Sequence, residues 1–183
     1  MLQAVDRIAE GGEPTMKTLA ILGVLIVLTS MPVHPQEAPL IDEKSGKPML
    51  CGEISRAALE TDSNYAEWFK PEYENYQVNA SLLPKLDLED VQAIIILGTW
   101  CSDTKRELPR FFKILDASQF DSADVTLYAV NREKKAEGVD LSSYAVERVP
   151  TFVFFRRGRE IGRIVESPSA TLEDDMVEIL GHS

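Results

Sequence analysis

Cysteine and histidine are scarce in this chain of 183 residues, which has two of each. Two cysteines are too few for a disulfide-stapled scaffold, and together with two histidines they give no zinc-ligand spacing. His34 lies in a proline-rich segment and His182 in the C-terminal tail. Neither histidine is therefore placed to form a Cys-His or Ser-His catalytic pair, and no metal site is expected.

Basic residues are also few, because 19 Lys and Arg stand against 30 Asp and Glu, a formal net charge of -11. This excess of acid argues against binding to nucleic acid or to anionic membrane surfaces through bulk electrostatics. A dinucleotide fingerprint is lacking, since residues 158–162 have the pattern of a hairpin rather than a phosphate loop. We therefore expect no cofactor. The 44% hydrophobic content is ordinary for one globular domain.

The chain has one apolar run outside its folded region, residues 18–31, preceded by Met16-Lys17. The run is short for a membrane span but suits a signal peptide, so residues 1–31 are predicted as a signal-peptide region of an exported, periplasmic or secreted protein. Residues 1–15 are polar and acidic where a signal begins basic, which indicates Met16 as the true start. The alternative is an uncleaved apolar membrane anchor, because no small-x-small cleavage pattern follows.

The rest of the chain is predicted as a linker, 32–50, and one domain, 51–183. Four prolines between positions 32 and 48 indicate the linker. Within the domain, residues 51–80 are predicted as an accessory helical piece. Beyond it the apolar patterns predict strands and helices in the order strand 92–97, helix 103–115, strand 125–130, strand 151–155, strand 160–165 and helix 170–180. This order predicts an α/β fold with a central mixed sheet and helices on both faces.

The segment 98–104, Gly-Thr-Trp-Cys-Ser-Asp-Thr, lies where the first of these strands gives way to a helix. The unpaired N–H groups and partial positive charge of a helix N-terminus favour a thiolate at Cys101. The position where a second cysteine would complete a Cys-x-x-Cys pair holds Thr104. Its hydroxyl is expected to donate a hydrogen bond to the thiolate. The alternative for Cys101 is a buried, inert thiol.

From about Leu82 to Leu180 the chain resembles the thioredoxin-like superfamily. Four features carry this resemblance: Trp100-Cys101 at the strand-to-helix turn, Pro109 eight residues after the cysteine, Val149-Pro150-Thr151 before a strand, and the Arg157-Gly158 hairpin. The form of the motif and the downstream residues 131–135 are similar to those of a group of bacterial members.

The resemblance implies a thioredoxin-like fold with an N-terminal helical extension. It also implies a cis Val149–Pro150 bond against the active cysteine, and a client peptide that adds to the backbone there as to a sheet edge. The catalytic candidates are then Trp100, Cys101 and Thr104. The substrate-binding candidates are Trp100, Val149 and Pro150.

Two departures from the family pattern bear on function. The resolving cysteine is replaced by Thr104, and the buried acid six residues before the nucleophile is Ile95. A dithiol enzyme releases its mixed disulfide through the second thiol, so this chain would need an external small thiol or partner oxidoreductase. The implied activity is that of a monothiol thiol-disulfide oxidoreductase acting on client proteins or small thiols. The alternative is a non-catalytic peptide-binding or chaperone module.

The second cysteine, Cys51, lies in the accessory piece and has two interpretations. It either acts as a distant resolving cysteine, if that piece folds over the site, or it is a packed thiol without a redox role. Neither spacing nor composition decides between them.

Overall fold

The computed structural model describes residues 40–181. The predicted signal-peptide region 1–31, the first part of the predicted linker and both histidines lie outside the described residues. Within residues 40–181, no helix is both long and apolar enough to cross a membrane.

The described residues form seven strands and four α-helices. In chain order these are β1 Leu40–Ile41, β2 Pro48–Met49, β3 Gly52–Ile54, α1 Arg56–Thr61, α2 Ser63–Asn75, β4 Val91–Leu97, α3 Ser102–Ser118, β5 Val125–Ala129, β6 Thr151–Arg156, β7 Arg159–Val165 and α4 Leu172–Leu180. The strands and helices predicted beyond residue 91 are all present, with bounds that differ by a few residues at most.

The main sheet is mixed and five-stranded, with the order β3-β5-β4-β6-β7. Only β4 and β5 run parallel, and α3 is the crossover between them; the other neighbours are antiparallel. The strand β4 is central because its sequence, VQAIIIL, offers apolar side chains to both faces. The predicted mixed sheet is therefore confirmed.

Side chains alternate between the two faces of the sheet. Ile95 and Phe152 lie in the larger core, which also takes the buried side chains of all four helices. Ile96 and Val153 lie on the opposite face, in a smaller cluster covered by residues 130–149. That covering segment contains one 3₁₀ turn, Ser142–Tyr144, so the four α-helices pack on one face of the sheet and not on both faces as the sequence predicts. The site described below lies beside this smaller cluster, to which Trp100 and Cys101 both belong.

The N-terminal part of the described chain contains more strand than the sequence predicts. The residues 40–50 of the predicted linker include the antiparallel pair β1–β2. In the predicted accessory piece, α1 and α2 are preceded by β3, which joins the main sheet beside β5. Strands of two or three residues are too short to show a period-two pattern, so the sequence carried no signal for them.

Candidate functional site

The candidate nucleophile, Cys101, stands at the N-cap position of α3. The chain turns tightly after β4, where the Cys101 N–H donates to the Gly98 carbonyl at 2.8 Å. The Cys101 carbonyl then accepts the first helical hydrogen bond, from Lys105 N–H at 3.1 Å. The thiol is half-buried and does not itself cap the helix. This position leaves the side chain beside the unpaired N–H groups of the first helical turn.

The cysteine is brought against the segment that precedes β6. The Cys101 thiol donates a hydrogen bond to the Val149 carbonyl, with an Sγ–O distance of 3.1 Å. The Val149–Pro150 peptide bond is cis, and both residues are buried. The Pro150 carbonyl accepts from Glu166 N–H at 2.7 Å, which ties this segment to the end of β7. Three of the candidate residues are thus adjacent in space although 48 positions separate Cys101 from Val149.

The indole of Trp100 is held from two sides. Its Nε1–H donates to the Val130 carbonyl, just beyond β5, at 2.9 Å. On another side it lies against Gly98, where an added Cβ would be only 2.7 Å from the indole Cε2. Glycine is therefore required at position 98 by the close approach of the ring.

Thr104 makes a hydrogen bond that the sequence does not predict. The sequence predicts that its hydroxyl donates to the Cys101 thiolate. In the structure Thr104 is fully buried and its Oγ1 accepts from Gly98 N–H at 3.3 Å, whereas the Cys101 thiol bonds to Val149. Helical side chains lean toward the helix N-terminus, which directs this hydroxyl at the backbone of the preceding turn. Thr104 therefore stabilises the strand-to-helix turn that presents the cysteine.

Arg132, for which the sequence predicts no role, is a neighbour of this site. The loop after β5 is closed by the Asn131 side chain, whose Oδ1 accepts from the N–H groups of Glu133 and Lys135, both at 3.0 Å. This loop places the Arg132 guanidinium over the Trp100 ring, 4.6 Å from the ring centroid. That distance is typical of a cation–π contact.

A buried carboxylate orients this arginine. Asp42, in the turn between β1 and β2, is 1% exposed and accepts from Arg132 Nε at 2.5 Å and Nη2 at 2.9 Å. Ser45 also donates to it. The hydrogen bonds from Arg132 hold the pKa of Asp42 well below its usual range, since they favour the ionised form. Because Asp42 and Arg132 are 90 residues apart, no local sequence pattern predicts this pairing.

The same contacts act on the arginine. The hydrogen bonds with Asp42 raise the pKa of Arg132, and the nearby negative charges of Asp42 and of Cys101 raise it further.

Cys51 lies next to the start of β3 and is a free thiol, as is Cys101. Its Sγ–H donates to the Lys135 carbonyl at 3.4 Å. The preceding residue, Leu50, donates its N–H to Thr99 Oγ1 at 3.2 Å. The segment before β3 is therefore tied to the turn that carries the nucleophile, while the thiol of Cys51 is directed at the loop after β5.

A cleft of about 410 Å³ opens on the Trp100 side of this turn. Its walls come from the β1–β2 hairpin, from α2 and from the residues around Trp100, and they include the cations Lys47 and Lys105. Cys101 is not among the lining residues. Across residues 40–181, no three His, Cys, Asp or Glu side chains form a group that could hold a metal ion.

Comparisons with known proteins agree with this architecture, although no family model matches the chain. A thioredoxin-like protein of Acanthamoeba polyphaga mimivirus is 31% identical over 80 residues, which are 44% of this chain and 56% of the viral protein. The chain thus spans little more than half of that relative. A mitochondrial thioredoxin O of Oryza sativa subsp. japonica is 24% identical over 147 residues, which are 80% of this chain and 81% of the rice protein.

Among solved structures, a protein of unknown function from Pseudomonas aeruginosa matches with a TM-score of 0.50 and 16% identity, covering 70% of this chain and 91% of its own. The thioredoxin of Fasciola hepatica matches with a TM-score of 0.37 and 18% identity, over 54% of this chain and 88% of its own. The chain is similar in sequence to proteins of the thioredoxin-like superfamily, and its fold is thioredoxin-like.

Proposed function

We propose that this chain is a thiol redox protein that exchanges disulfides through one cysteine, Cys101. The observation that carries the proposal is the position of the half-buried Cys101 thiol, at the N-terminus of α3 and 3.1 Å from the Val149 carbonyl. The nucleophile in disulfide exchange is the thiolate form of such a cysteine. The names of two relatives, a thioredoxin-like protein and a thioredoxin O, support the same chemistry.

The exchange begins when the Cys101 thiol gives its proton to solvent and its hydrogen bond to Val149 is lost. The thiolate then attacks one sulfur of a client disulfide. A bond forms between Cys101 Sγ and that sulfur, the client S–S bond breaks, and the second client sulfur leaves as a thiolate that takes up a proton. Loss of the bond from Cys101 frees the Val149 carbonyl, to which the backbone of an extended client peptide donates during this step.

Release of the mixed disulfide needs a second thiol. Thr104 occupies the resolving position, and its hydroxyl oxygen is engaged by the Gly98 N–H. An external small thiol or a partner oxidoreductase therefore attacks the client sulfur: a disulfide forms between the external thiol and the client, the bond to Cys101 breaks, and Cys101 leaves as a thiolate that takes up a proton. Clients are disulfide-containing or thiol proteins. The proposed compartment is an exported one, which rests on the apolar run of residues 18–31.

The proposal is tested with two variants that each keep one cysteine, Cys51→Ser and Cys101→Ser. Each is incubated with glutathione disulfide, and the adducts are identified by intact mass and peptide mapping. We expect Cys51→Ser to form one mixed disulfide per chain, at Cys101, and Cys101→Ser to lose the rapid reaction completely. Equal rates in the two variants would contradict the proposal. A Cys101 that stays unmodified in a chain that still binds a client peptide would favour the peptide-binding module instead.

A further inference from the structure

We infer that Arg132 makes the Cys101 site selective for disulfides and thiols that carry a carboxylate beside the reacting sulfur. This inference rests on the proposed function, since it names the substrate class of the same thiol. It assigns Arg132 as a residue that determines specificity and Asp42 as the residue that positions it.

The geometry leaves an anion-binding edge on Arg132. A guanidinium has five N–H groups, and Asp42 accepts one from Nε and one from Nη2. The three remaining N–H groups have no acceptor among the described residues, and the Arg132 side chain is 36% exposed. They are the donors that match a carboxylate in a fixed, planar arrangement.

The edge lies next to the residue that precedes the reacting cysteine. The guanidinium is stacked on the ring of Trp100, the residue that directly precedes Cys101. The charge of Cys101 also contributes to the raised pKa of Arg132, as expected for neighbouring side chains. A carboxylate near the sulfur of an incoming disulfide therefore meets the free donors of Arg132 while the thiolate reaches that sulfur.

Asp42 keeps the arginine ready for this contact. The carboxylate is buried, and its two hydrogen bonds restrict the rotation of the Arg132 side chain. An arginine that is already ordered loses less conformational entropy when it binds an anion. The depressed pKa of Asp42 keeps it ionised at every pH at which a thiolate exchanges, so the pair persists throughout that range.

The other charged side chains near the site each have a different partner. Arg148, next to Val149 in sequence, is exposed and bound to Glu166 with an N–O distance of 2.8 Å. The ammonium of Lys105 lies 5.9 Å from the centre of the Trp68 ring. Asp103, whose negative charge repels an anionic substrate, forms an ion pair with Arg106 at an N–O distance of 2.8 Å. Arg148 is therefore a suitable control for a general loss of positive charge.

The test compares two disulfide reagents on the full chain carrying Cys51→Ser. Dithiobis(nitrobenzoate) has a carboxylate on each ring, whereas dithiodipyridine is neutral. We expect Arg132→Gln to slow the reaction with the anionic reagent about ten-fold more than the reaction with the neutral one, as for the loss of one charge-assisted hydrogen bond. Arg132→Lys should keep part of this difference, Arg148→Gln should not produce it, and added salt should reduce it.

A second variant controls for misfolding, because Arg132→Gln leaves the buried carboxylate of Asp42 without its partner. The double variant Asp42→Asn/Arg132→Gln removes both charges and should show the same ten-fold change in the ratio of rates. The ratio of the two rates also separates carboxylate binding by Arg132 from an effect of Arg132 on the thiolate. Loss of an effect on the thiolate would slow the reactions with both reagents equally.

The outcomes separate the inference from the function it rests on. Equal slowing of the two reagents in both Arg132 variants, or no slowing, would overturn the inference and leave the exchange reaction standing. Failure of the parent chain to react with either reagent would overturn the proposed function, and the inference with it. The rates with glutathione disulfide and with a cystine peptide that has flanking aspartates are then compared between the parent chain and the Arg132 variants. The reagent whose rate depends on Arg132 shows whether the substrate is a small thiol or a protein client.

Discussion

Replacement of Phe111 with alanine is expected to lower the free energy of unfolding by about 3–5 kcal/mol. Phe111 lies on the buried face of α3 and is fully inaccessible to solvent. Its ring centroid is 4.6 Å from that of Phe152 on β6 and 6.0 Å from that of Phe154. The substitution removes an aromatic ring from the centre of the larger core, and its rigid surroundings cannot close the cavity.

Urea unfolding of the full chain, followed by tryptophan fluorescence, measures this loss. The exposed Ala117 on the same helix provides the matched control, since Ala117→Ser should change the free energy of unfolding by less than about 0.5 kcal/mol. A loss below about 1 kcal/mol for Phe111→Ala would mean that α3 does not pack on the sheet as described.

The second large effect is expected at Gly98, where a single added methyl group disturbs both stability and the candidate site. The new Cβ would lie 2.7 Å from Cε2 and 2.9 Å from Cζ2 of the Trp100 indole. The ring must move away, which breaks its hydrogen bond to Val130 and its stacking with Arg132. We expect Gly98→Ala to cost about 1–3 kcal/mol of stability and to slow exchange at Cys101.

A double variant shows whether the indole is the cause. In Gly98→Ala/Trp100→Phe the smaller ring leaves room for the methyl group, so the combined loss of stability should be smaller than the sum of the two single losses. The measurements are the urea midpoint and the rate of reaction with dithiodipyridine. Strictly additive losses, or a Gly98→Ala chain with unchanged stability and rate, would contradict the close contact.

The sheet and its central helix could be predicted from the sequence because their signals are local. The continuous apolar run of β4 and the helical spacing of Leu108, Phe111 and Leu115 are each contained in a few residues. Both describe faces that are buried in the structure. No local pattern predicts that Cys101 lies against Val149 and Pro150. Only the resemblance to a known family implies this contact.

The rest of the site depends on contacts that no local pattern encodes. Asp42 lies in a turn of charged and small residues that is typical of a solvated loop, yet it is buried against Arg132. Thr104 was expected to serve the thiolate because it occupies the resolving position. In the structure the Thr104 oxygen accepts from the Gly98 N–H just after β4, a buried donor that needs an acceptor. Long-range pairs of this kind become visible only once the sheet brings the loops together.

The mixed disulfide at Cys101 must be reduced before the protein can react again. Thr104 cannot resolve it, and the Cys51 thiol bonds to the Lys135 carbonyl. An external thiol is therefore required, in contrast to a dithiol protein that releases its client without help.

The measurement is the decay of the purified Cys101–glutathione mixed disulfide, followed by intact mass in the wild-type chain and in Cys51→Ser. The account predicts that the adduct persists in both chains without added thiol and disappears at the same rate in both when reduced glutathione is supplied. Spontaneous release from the wild-type chain alone, with formation of a Cys51–Cys101 disulfide, would contradict a single-cysteine mechanism.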